Sequence, residues 1–147
     1  MMIPGVPPDG WRFMSMSDNQ GRDTFRRWLE KDVDIGQRKG VETALKTTMR
    51  FLMVARKELW REPHFKWLSD GIGEIRSDFG NVEYRPLGCS GPDPDQFTIL
   101  IGAKKKGKVW TPADAKKTAT KLKDELLKSP ERGRKYEISL RRTTPST

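Results

Sequence analysis

The chain reads as an α+β domain: an N-terminal strand, an αα-hairpin, a three-stranded antiparallel meander and a C-terminal helix. Three observations predict this class. Apolar residues recur at helical spacing through the first third of the chain, give way to short β-rich runs from Ile72, and return to helical spacing after Thr111. The β runs are separated by turn-forming Gly, Pro and Asn residues, as in a meander. At 147 residues the length is that of one domain. The expected division is a flexible N-terminus (1–10), a folded domain (11–128) and a basic polar tail (129–147).

The elements follow in order. Residues 11–16 alternate as a short strand. Asp23 is placed to cap a helix that carries Phe25, Trp28, Leu29 and Val33 on one face. Gly36 and Gly40 bracket a turn. A second helix then carries Val41, Ala44, Leu45, Thr48, Leu52, Ala55 and Leu59, and Pro63 stops it. Residues 72–76, 82–87 and 97–102 are the three strands, with the last, nearly all apolar, in the centre. Thr111, Pro112 and Asp114 form a helix-start signal. Ala115, Ala119, Leu122 and Leu126 supply that helix's stripe, and Pro130 closes it. Tyr136, Ile138 and Leu140 alternate, which allows a late edge strand in an otherwise polar tail. The helices are expected to cover one face of the sheet and leave the other open to a ligand.

Composition narrows the function. Lys and Arg number 29 against 20 Asp and Glu, a formal charge of +9. That balance favours a polyanionic partner, since neutralising phosphates releases counterions; a surface cationic only for solubility is the competing explanation. No apolar run approaches the roughly 18 residues of a membrane span, and residues 1–10 lack the apolar stretch of a signal peptide, so a cytoplasmic location is expected. One cysteine excludes a disulfide framework, and one His with one Cys argues against zinc. Gly71, Ile72 and Gly73 lack the following helix of a dinucleotide motif, so neither metal nor cofactor is expected.

The densest signal is Lys104, Lys105, Lys106, Gly107 and Lys108, directly after the apolar strand. Side chains alternate along a strand, so Lys104 and Lys106 share a face about 7 Å apart, near the spacing of successive phosphates, while Lys105 points away. Arg76 and Arg85 lie on neighbouring strands, where planar guanidinium groups suit phosphate; cross-strand ion pairs with Glu74 or Glu83 are the alternative. Trp110 either stacks on a base or anchors the last helix to the sheet. His64, the single histidine, is either an acid–base group or a loop residue between helix and sheet. Cys89 sits in a Gly/Pro-rich turn and carries no evident chemistry.

Several stretches together resemble a known family. They are residues 63–76 (PHFKWLSDGIGEIR), 83–88 (EYRPLG), 97–106 (FTILIGAKKK) and 110–115 (WTPADA), with 25–29 (FRRWL) as a first helix. In order and spacing they resemble the phage-derived branch of the RelE/HigB toxins, within the RelE/ParE superfamily, over about residues 11–128. The resemblance implies a RelE-like fold and the toxin of a type II toxin–antitoxin pair. It further implies a metal-free, ribosome-dependent mRNA endoribonuclease in which a ribose 2′-OH attacks the adjacent phosphate to give a cyclic phosphate. The implied partners are mRNA in the ribosomal A site and a cognate antitoxin, of helix-turn-helix type and encoded nearby. Arg85 matches the family arginine that stabilises the phosphorane, Arg76 a basic position before it, and Lys104 and Lys106 the basic positions at the last strand's end. Glu74 falls on a position that is basic in some members and would be a base here. Lys105 and Lys108 join Lys104, Lys106 and Trp110 as RNA contacts. Trp110 stands where several members have a tyrosine; an indole stacks but transfers no proton. Two other readings stay open: a ParE-like gyrase inhibitor without nuclease activity, and a non-catalytic relative that binds RNA or a partner.

Overall fold

The computed structural model describes residues 4–136. Along the chain run β1 (Arg12–Met16), α1 (Thr24–Lys31), α2 (Ile35–Met53), β2 (Phe65–Trp67), β3 (Ile72–Ile75), β4 (Ser77–Phe79), β5 (Val82–Tyr84), β6 (Leu87–Ser90), β7 (Gln96–Ile101), β8 (Lys104–Lys106), β9 (Val109–Thr111), α3 (Ala115–Lys128) and β10 (Gly133–Lys135). The strands form a six-stranded sheet ordered β10-β1-β7-β6-β3-β2 and a four-stranded sheet ordered β4-β5-β8-β9. β1 runs parallel to β7; the other pairs are antiparallel.

This corrects the expected architecture. One strand, a helical hairpin and a three-stranded meander of RelE type are replaced by an α+β fold with, among the described residues, three α-helices and ten strands in two sheets. The reason lies in three breaks at one level of the ribbon. Arg76 separates β3 from β4, Arg85 and Pro86 separate β5 from β6, and Gly102 and Ala103 separate β7 from β8. Pro86 has no N–H for the ladder. At Gly102 the Trp28 indole lies so close that an added Cβ would overlap it. Pairing crosses the break through Ile75 N–H to Pro86 O (3.0 Å) and Arg85 N–H to Ala103 O (2.8 Å). The expected strand 82–87 thus bends from one sheet into the other, and those at 72–76 and 97–102 run on past their breaks into the small sheet.

Nor is a face of the large sheet left open. Phe13, Phe65, Ile75, Phe97 and Ile99 pack with Phe25, Trp28, Leu29, Leu45, Met49 and Leu52 of α1 and α2. Ile72, Leu87, Cys89 and Leu100, on the opposite face by strand alternation, pack with Ala115, Ala119 and Leu126 of α3. The sheet is therefore a middle layer with two cores.

Local signals moved where packing outweighed them. Asp23 caps α1, its carboxylate accepting from the Arg26 N–H at 3.0 Å. Gly36 and Gly40, expected in a turn, lie inside α2, which ends at Met53 rather than near Pro63. At Gly40 the Phe79 ring rests where a Cβ would be, so the glycine admits a close contact instead of a turn. Thr111 ends β9, and α3 begins at Ala115 with Asp114 at the cap position. Beyond α3, Arg134 pairs with Ser15 across β10 and β1, and the buried Tyr136 hydroxyl donates to Glu42 Oε2 (3.0 Å). The expected alternation of Ile138 and Leu140 lies outside the described residues. Among the described residues no helix is long and apolar enough to cross a membrane.

Candidate nucleic-acid interface and arginine cleft

The sequence-predicted residues separate into two groups. Glu74, Arg76 and Arg85 come together at the end of the large sheet. Lys104, Lys105, Lys106, Lys108 and Trp110 lie on the β8–β9 hairpin of the small one.

The hairpin closes through Gly107 and Lys108, with Gly107 at φ 60, a left-handed turn conformation that favours glycine. Strand register puts Lys104 opposite Tyr84 and Thr111, and Lys106 opposite Val109. Lys105 lies on the other face, opposite Glu83 and Trp110, with its Nζ 4.9 Å from the indole centroid. Trp110 is half-buried and packs against the α3 core, so it is an anchor with one face carrying a cation. Among the described residues the lysine ion pairs are elsewhere: Lys46 with Glu42, Lys66 with Glu62, Lys116 with Asp70. Among the described residues none of the four hairpin lysines has a salt bridge, and Lys106 and Lys108 are exposed. A hollow of about 260 Å³ beside them is lined by Asn81, Glu83, Lys104, Lys105, Lys106 and Thr111.

The arginine group is built differently. Arg85 is 3% exposed and Glu74 1%. The Arg85 guanidinium meets three carboxylates: Asp78 Oδ1 and Glu83 Oε1, each 2.9 Å from Nη2, and Glu74 Oε1, 3.3 Å from Nε. Its Nη1 donates to the carbonyls of Tyr84 (2.8 Å) and Ser77 (3.2 Å). Arg76 pairs with Glu62 at 3.1 Å and stands 3.9 Å from Glu74. Proximity does not become hydrogen bonding around Glu74. Both its oxygens and the Nε atoms of Arg76 and Arg85 are buried without a hydrogen-bond partner among the described residues, so the attraction there is coulombic.

A cleft of about 480 Å³ opens beside this cluster, lined by Thr48 of α2 with Glu62, His64, Arg76, Asp78 and Arg85. His64 lies against Phe51, ring centroids 4.3 Å apart, and its carbonyl accepts the Arg76 N–H at 2.9 Å. The cleft therefore holds the chain's one imidazole beside two guanidinium groups, a set able to move a proton next to a phosphate. Sequence reading placed His64 between helix and sheet; its neighbours Glu62 and Asp78 carried no signal, because cleft membership depends on the bend at Arg76. As folded, the cleft arginines face four carboxylates, whereas the hairpin lysines have no salt bridge among the described residues and two of them, Lys106 and Lys108, are exposed.

Comparison with protein-family models, with curated proteins and with solved structures gave no match.

Proposed function

We propose that this chain binds RNA along the β8–β9 hairpin and acts as the toxin of a type II pair, cleaving mRNA without a metal in the adjoining cleft. The observation that carries the binding half is the hairpin itself: four lysines in five residues, none with a salt bridge among the described residues, on a chain of +9. Free ammonium groups at strand spacing suit successive phosphates.

The cleaving half rests on the family resemblance and on the cleft. In that reaction the 2′-OH oxygen bonds to phosphorus and the P–O5′ bond breaks, which requires a base, an acid and positive charge near the phosphorane. His64 is the proton-transfer candidate, and Arg76 and Arg85 are the charge. For a phosphate to reach them, Asp78, Glu83 and Glu62, 69%, 37% and 62% exposed, must turn to water. Glu74 stays buried and holds the two arginines in place.

A second reading has its own support. Arg85 is already neutralised and Trp110 transfers no proton, which favours a relative that holds RNA without cutting it. Inducible expression with mapping of mRNA 5′ ends tests both. New 5′ ends in translated messages, absent from His64→Ala, support the interferase. RNA binding by the purified chain with intact mRNA supports the non-cleaving reading. Growth arrest with DNA damage and intact mRNA overturns both in favour of gyrase inhibition.

A further inference from the structure

The turn between β4 and β5 reaches the same hollow as the lysine hairpin. Phe79 pairs with Val82, so Gly80 and Asn81 alone join the two strands. Their φ values, 59 and 66, are both left-handed, as in the type I′ turn whose twist matches its strands. That geometry fixes the Asn81 backbone and leaves its amide without a structural task. Among the described residues neither the Asn81 amide nor the Thr111 hydroxyl has a hydrogen-bond partner. Both line the hollow together with Lys104, Lys105 and Lys106, which have no salt bridge among the described residues. Glu83, the acid in its wall, is held by Arg85 at 2.9 Å. One amide, one hydroxyl and three ammonium groups therefore line one hollow with their donors unclaimed by a described acceptor.

We infer that this hollow is a base-reading subsite, which takes one keto base (uracil or guanine) of single-stranded RNA with Asn81 as its specificity residue. The inference rests on the proposal that RNA binds along the β8–β9 hairpin. Unpaired bases of single strands are read by hydrogen bonds on their edges, and the groups here are mostly donors. A keto base turns a carbonyl acceptor to such a wall. Cytosine and adenine carry an amino group at the corresponding position, so donor meets donor and both are left unpaired. The size agrees: about 260 Å³ lies below the roughly 300 Å³ at which pockets for drug-sized ligands begin, which suits a base with its sugar and phosphate outside. The lysines supply attraction to any strand, whereas the Asn81 amide, on a turn of fixed shape, supplies direction.

The test measures binding of labelled RNA decamers to the full chain by fluorescence anisotropy, in two pairs: uridine against cytidine, and inosine against adenosine. Within each pair the bases differ chiefly in a carbonyl or an amino group at one ring position. In at least one pair the keto decamer should bind about fivefold tighter or better, the discrimination of one good base contact. Asn81→Gly removes the amide and keeps the turn, because glycine adopts a positive φ without strain. It should cut the preference to about twofold or less while the salt dependence of binding stays as in the parent. Asn81→Asp also tolerates the turn but replaces the amide donors with acceptors, and should move the preference towards the amino base. Salt-dependent binding with no preference in either pair overturns the subsite and leaves the hairpin as a plain phosphate contact. A keto preference that survives both variants overturns Asn81 as the reader. Failure of every decamer to bind overturns the hairpin reading itself, and this inference with it.

Discussion

Arg85, at the break that follows β5, and Lys105, on β8, stand on neighbouring ribbons linked by Glu83, which bonds to the first and lies opposite the second. Arg85 is enclosed and ringed by Glu74, Asp78 and Glu83, whereas Lys106 and Lys108 on the hairpin are exposed and Lys105, half-buried, meets an indole face. A buried guanidinium cannot persist without anions, because losing its water costs several kcal/mol. An exposed ammonium keeps its water and remains available to a phosphate. The same formal charge is therefore held in ion pairs in one region and stands without them in the other.

The sharpest way to break that contrast is Arg85→Ala. It leaves Glu74 buried beside unrelieved carboxylates and should cost about 3–5 kcal/mol in urea unfolding. A cost under about 1 kcal/mol would mean the cluster is not a structural ion pair. On the proposed interferase reading, His64→Ala should next reduce mRNA cleavage by at least about a hundredfold, in the range typical of a lost acid–base group, while RNA affinity measured by fluorescence anisotropy stays unchanged. A fall in both would place His64 in binding rather than proton transfer. The pair Lys104→Ala and Lys106→Ala should weaken single-stranded RNA binding by about tenfold and lower the slope of log K against log salt by about 1.4, with stability within about 0.5 kcal/mol of the parent. Equal losses of stability and affinity would erase the distinction between the two regions.

The smallest effect concerns a third kind of cation, Lys57, whose Nζ lies 4.0 Å from the ring centroid of Trp60 and 4.7 Å from that of Trp11. Its folded pKa, about 8, lies below the ordinary lysine value, so between those two values the unfolded chain holds a proton that the folded chain lacks. Stability from this group therefore rises with pH above 8. Burial lifts the Cys89 thiol to about 11, and stability tied to that neutral thiol is lost as pH climbs from 9 towards 11. The clean window is pH 8 to 9. There the parent should gain a few tenths of a kcal/mol on Lys57→Met, a figure held small because the amine is only partly covered; denaturant midpoints at the two pH values measure it.

Much of the local chemistry was legible in the residues. The Asp23 cap and the apolar faces of α1 and α3 follow from spacing alone, and so does the strand character of residues 97–101, which form most of β7. The second helix was legible as a helix but not in its bounds. Gly36 and Gly40 signal a turn unless a ring packs against the helix there, and the Phe79 contact that admits Gly40 comes from a strand 39 positions later. The bends at Arg76, Pro86 and Gly102 were unreadable for the same reason: each depends on the other two ribbons breaking at the same level.

By itself the sequence determined the excess of cations, the run that concentrates four of them, and the alternation that sets Lys104 and Lys106 apart from Lys105. These are properties of composition and of a two-residue period, and neither needs a partner element. Only the tertiary structure decided which cations are free. It buried Arg85 among acids from three strands and set His64 into their cleft. It also closed both faces of the large sheet and enclosed Lys57 within rings drawn from residues 11, 60, 67 and 97. Desolvation and ion pairing depend on what lies within a few ångströms in space, and those neighbours are dispersed along the chain.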